Sequence, residues 1–96
     1  MANKQSYQYT LRVAVEQMHG CSARFVGFES VREEYKGKII WEGEVGVFEI
    51  DASHTKAKRC YAWSYGEPAE PVVILELPPV DSAQVAVKVG LPLHGR

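Results

Sequence analysis

The stretch from Trp41 to Tyr65 constrains the fold more than any other part of the chain. Its first half, Trp41 to Ile50, sets Trp41, Val45, Val47, Phe48 and Ile50 among the glutamates Glu42, Glu44 and Glu49, a pattern that predicts a strand. Its second half, Lys56 to Tyr65, alternates. Ala57, Arg59, Tyr61, Trp63 and Tyr65 share one face, and Lys58, Cys60, Ala62 and Ser64 share the other. Between the halves, Asp51 to Thr55 is too polar to be buried, and Asp51 and Ser53 can hydrogen-bond backbone groups across a turn. The segment predicts a pleated ribbon with its bulky rings on a common side.

A chain of 96 residues has apolar surface for one core and therefore forms one domain. Its 46% hydrophobic and 24% charged residues are a globular composition. With a net charge of -1, general attraction to nucleic acid or to a membrane surface is not expected. Met1 to Ser6 is polar and leads into no apolar run of signal-peptide length, and the longest apolar run is Val72 to Leu75, so a cytoplasmic protein is expected. In that setting Cys21 and Cys60 read as two free thiols, with one bridge between them as the alternative.

The flanks of the ribbon predict further elements. Tyr7, Leu11, Ala14, Val15 and Met18 line one side of a helix over 7–19, with Ser6 as its cap and Gly20 as its stop, although Tyr9, Leu11, Val13 and Val15 also alternate as a strand would. From Cys21 to Glu29 the apolar parity changes at Phe25-Val26, which predicts a bulge, and Gly27 fits that break. Lys36-Gly37-Lys38 predicts the turn of a solvent-facing hairpin. Gly66 to Pro71 predicts another turn, Val72 to Leu77 a short strand, and Pro78-Pro79 its end. Asp81-Ser-Ala-Gln84 has capping-box spacing and predicts a helix over 82–91 with Val85, Ala86, Val89 and Leu93 as its buried stripe. Val85, Val87, Val89 and Leu91 would suit a strand instead. The expected fold is α+β: an antiparallel sheet of about four strands, with an N-terminal and a C-terminal helix packed on one face.

Trp41 to Ile50, the turn at His54, Ala57-Lys-Arg-Cys-Tyr-Ala-Trp-Ser64, Leu77-Pro-Pro-Val-Asp-Ser82 and the earlier His19-Gly-Cys21 resemble a group of small uncharacterised bacterial proteins, some carried on mobile integron gene cassettes. The resemblance implies an α+β domain from a bacterial cytoplasm, with helices at both ends, and it implies no activity. Where the group's pattern offers a proline after the turn histidine, this chain has Thr55.

No motif fixes a reaction. The most concentrated chemistry lies in Lys56, Lys58 and Arg59 followed by Tyr61, Trp63 and Tyr65, a combination that suits phosphate attraction and stacking. The structural account makes the rings core residues and pairs the cations with Glu42, Glu44 and Glu49 on a neighbouring strand. His19, Cys21, His54 and Cys60 have no recognised zinc spacing, so no metal and no cofactor are expected. Cys60 lies on the opposite strand face from Arg59, His19 is placed to cap the first helix's C-terminus, and Glu42 with Glu44 read as a solvated edge. No catalytic residue is assigned. The expected function is a small binding or interaction module that self-associates through the aromatic sheet face, with Trp41, His54, Arg59, Tyr61, Trp63 and Tyr65 as the ligand or interface candidates. A small-molecule ligand is a possible partner; nucleic acid and membrane are not expected. The alternative is an enzyme of unknown reaction with a pocket near His54 and Cys60.

Overall fold

The computed structural model describes residues 4–65 and 70–94. They form α1 (Lys4–His19), β1 (Ala23–Tyr35), β2 (Lys38–Ile50), β3 (Arg59–Trp63), β4 (Val72–Leu75) and α2 (Ala83–His94). The strands make one antiparallel sheet in the order β1-β2-β3-β4, so the expected α+β class, the four strands and both terminal helices are all present. Of the predicted turn from Gly66 to Pro71, residues 66–69 lie outside the described residues.

The sequence places both helices on one face of the sheet; in the structure they take opposite faces. α1 brings Leu11 and Val15 against Ala23, Phe48, Ile50, Cys60, Ala62 and Val73. α2 brings Ala83, Ala86 and Val87 against Val31, Val45, Val47, Tyr61 and Trp63. Successive residues of β3 thus serve opposite cores, because a pleated strand points neighbours to opposite sides. Each fully buried aliphatic side chain contributes about 1.5–3 kcal/mol, so a sheet apolar on both faces requires two covers.

The bulge falls where the parity change placed it. Phe25 pairs with Phe48 and Gly27 with Val47, leaving Val26 as the extra residue. That insertion lets Phe25 and Phe28 both reach the α1 side, where their rings meet edge to face at 4.9 Å. The hairpin joining β1 and β2 turns at Lys36 and Gly37, both with positive φ, as the two central positions of a tight hairpin turn require.

Helix ends explain the smaller differences. α1 begins at Lys4, so Ser6 lies within its first turn rather than at the cap, while Gly20, at φ +61°, closes the helix by donating to the Glu16 carbonyl at 2.8 Å. On α2 the capping oxygen is Ser82 Oγ, which accepts from the Val85 N–H at 3.3 Å. The expected cap, Asp81, lies one residue earlier, and Gln84 reaches across to β1 instead. There its amide donates to the Arg32 carbonyl at 2.8 Å and to the Glu33 carboxylate, which is buried. This rotates the buried stripe to Ala83, Ala86, Val87 and Gly90, leaving Val85 half-buried and Val89 exposed. The Leu93 side chain lies outside the described residues.

Pairing between β2 and β3 runs only from Gly46↔Ala62 to Glu49↔Arg59. Where the two strands part, the Tyr7 hydroxyl stands between them, donating to the Glu44 carbonyl at 3.1 Å and accepting from the Ser64 N–H at 3.0 Å. Beyond that point β1 and β2 continue as a two-stranded arm.

Candidate functional site

The six residues singled out in the sequence divide between three places. Tyr61 and Trp63 lie side by side on one face of β3, as the alternation implied, but α2 of the same chain covers them and Trp63 is 0% exposed. The approach is close. A Cβ added at Gly90 of α2 would sit 2.8 Å from the Tyr65 hydroxyl and 3.1 Å from the Trp63 ring. The Tyr61 hydroxyl donates to the Glu76 carboxylate, and burial, with that carboxylate beside it, pushes the phenol well above its ordinary range. Tyr61 is therefore a neutral packing residue.

Trp41 and Tyr65 occupy the margin of this face. Both are half-buried, their rings meet edge to face at 5.5 Å, Tyr65 meets Trp63 in the same way at 5.7 Å, and the Tyr65 hydroxyl donates to the Val87 carbonyl at 3.0 Å. From Trp41 the arm runs outward through Ile40, Ile39 and, across the turn, Tyr35. Their exposures are 50%, 52% and 62%, so three large apolar side chains lie open at the end of a ribbon. In the sequence this hairpin is legible only as a solvent-facing end. The signal that could have found its apolar tip is the Ile39-Ile40 pair next to a turn.

Arg59 carries out the charge pairing expected of it, reaching Glu49 at 3.8 Å, and Arg24 binds the same carboxylate. Glu42 pairs with Arg32 at 3.0 Å and Glu44 accepts from the Ser30 hydroxyl, both partners coming from β1. Such exposed pairs are worth about 0–1 kcal/mol each and set register more than stability.

His54 stands in the loop between β2 and β3, and there it meets His19 at the end of α1. The His19 Nδ1 and His54 Nε2 are 3.1 Å apart. The two rings and Gly20, Cys21, Ser22, Asp51, Ala52 and Ser53 line an open cleft of about 530 Å³. His19 thus serves a loop partner and is not the cationic helix cap expected of it. Burial, with the His54 ring beside it, lowers its pKa from 6.5. A folded-state value below the unfolded one means that the unfolded chain binds more protons. The resulting contribution is fully present above 6.5 and is lost as the pH falls from there through the folded value. We expect a small decrease in urea midpoint between neutral and mildly acidic buffer, and a smaller one in His19→Asn. An equal decrease in both would assign the effect elsewhere.

Cys60 does not line this cleft. It is fully buried against α1, and burial, with Cys21 nearby, pushes its thiol up to about 12. Both cysteines are free. A thiol so high and so enclosed supplies no nucleophile near neutral pH.

Comparison of the chain with protein-family models, with curated proteins and with solved structures returns no match. Among the described residues no helix is long and apolar enough to cross a membrane.

Proposed function

We propose that the protein is a small cytoplasmic interaction module that self-associates, and that the contact is made by the β1–β2 arm with the adjoining margin of the aromatic face. The observation that carries the reading is the trio Tyr35, Ile39 and Ile40, each at least half exposed, on an arm that neither β3 nor β4 extends. An isolated two-stranded ribbon is marginal in water, and apolar side chains with free strand edges are what a partner strand covers. A second copy fits the charge of the arm. From Arg32 to Glu42 three bases (Arg32, Lys36, Lys38) balance three acids (Glu33, Glu34, Glu42), so two arms meet without net repulsion. Membership of the integron-cassette group belongs to this proposal, supported by the residues of Trp41 to Ser64 and Leu77 to Ser82.

The enzyme alternative loses its nucleophile with Cys60 and keeps only the open cleft at His54. Sedimentation velocity over a wide concentration range tests the module reading. The wild type is expected to dimerise. The double variant Ile39→Thr with Ile40→Thr keeps β-branching but loses apolar area, and should weaken the dimer by about thirtyfold, or roughly 2 kcal/mol, with little change in unfolding midpoint. A wild type that stays monomeric at the highest concentration, or a variant that dimerises equally well, refutes the proposal.

A further inference from the structure

The meeting of His19 and His54 creates a constellation that neither local sequence contains. The ring planes are inclined by only 14° and their centroids are 5.2 Å apart, while the nearest nitrogens are 3.1 Å apart. Since most of the centroid separation is taken up by the nitrogen separation and the two ring radii, the imidazoles meet edge to edge with nitrogens foremost, not face to face. We propose that His19 Nδ1 and His54 Nε2 form a two-nitrogen site for a borderline divalent transition cation of the Cu²⁺, Ni²⁺ and Zn²⁺ class.

The separation suits such an ion. Two imidazole nitrogens, each about 2.0–2.1 Å from a metal, would subtend roughly 95–100° when 3.1 Å apart. That angle lies between those of tetragonal and tetrahedral coordination. The two ligands come from different elements, one from the end of α1 and one from the loop between β2 and β3, and the fold has already gathered them. Ligation through His19 Nδ1 places that ring's proton on Nε2, which is buried and has no partner among the described residues, so the proton would rest on an unpaired nitrogen and His54 is the stronger of the two ligands. Among the described residues no group of three or more His, Cys, Asp or Glu side chains is placed to hold a metal, so the histidine pair supplies two ligands and solvent in the open cleft the remainder. This donor set favours imidazole-seeking ions, with Cu²⁺ ahead of Ni²⁺ and Zn²⁺, and disfavours Mg²⁺ and Ca²⁺, which require oxygen cages.

Calorimetric titration of the untagged protein with copper, nickel, zinc and magnesium salts, together with electron paramagnetic resonance of the copper complex, provides the test. One equivalent of copper should bind most tightly, magnesium should give no heat, and the copper spectrum should show coupling to two imidazole nitrogens. His19→Ala and His54→Ala should each weaken copper by at least about tenfold and leave one coupled imidazole. The His54 side chain is exposed, so its variant retains the fold and isolates the ligand effect. Unchanged affinity in His54→Ala, or a wild-type spectrum with fewer than two imidazole nitrogens, overturns the site.

Discussion

Trp63→Ala is expected to cost about 3–5 kcal/mol, a large part of the roughly 5–15 kcal/mol by which a domain of this kind is stable. The side chain is wholly buried among Val31, Val45, Val47, Tyr61, Ala83, Ala86 and Val87. Gly90 passes directly over its ring, and Tyr65 packs against its side. Truncation leaves a cavity bounded by two rigid elements, a strand paired at this residue with Val72 of β4 and a capped helix, so collapse around it is restricted. Urea denaturation followed by circular dichroism measures the loss. If Trp63→Ala changed stability by less than about 1 kcal/mol and abolished only self-association, the ring would be an interface residue and α2 would not be its cover.

Tyr7→Phe should destabilise by about 1–3 kcal/mol through a different mechanism, because the substitution keeps the ring and removes one oxygen. That oxygen links the Glu44 carbonyl to the Ser64 N–H at the point where β2 and β3 separate. The ring itself stacks on Phe28 at 5.8 Å, a contact that phenylalanine retains. Burial raises the phenol's pKa, so the group bridges the strands as a neutral hydroxyl. Amide exchange by nuclear magnetic resonance should show the Ser64 N–H exchanging faster in the variant, with the amides of Cys60 and Ala62 altered only by the global loss. If Ser64 were unaffected, the bridge would carry no energy.

The parts of this fold that were legible in the sequence were those with a local cause. The bulge followed from the change of apolar parity at Phe25-Val26, the stop of α1 from Gly20, and the common face of Tyr61 and Trp63 from strict alternation in β3. What could not be read was which side of the sheet each helix would take, since an amphipathic stripe does not name its partner. One signal was present. Cys60 and Ala62 on the small face of β3 are as apolar as the large face, which already called for two covers, and Ala83, Ala86 and Gly90 offer α2 a flat side suited to bulky rings. Treating the aromatic face as open therefore misplaced the surface: Tyr61 and Trp63 are core, and only Trp41 and Tyr65 reach its margin. The Tyr7 bridge and the His19–His54 pair join residues 57 and 35 positions apart, and no spacing rule connects them.

α2 closes the aromatic face within the chain, and we propose that a second copy covers the arm. Hydrogen–deuterium exchange across a dilution series, read by mass spectrometry, separates the two surfaces. Peptides spanning Tyr35 to Glu42 should gain protection as concentration rises, while those covering β3 and α2 stay equally protected throughout. Concentration-dependent protection of β3 and α2, with an arm that exchanges freely at every concentration, would place the contact on the aromatic face and not on the arm.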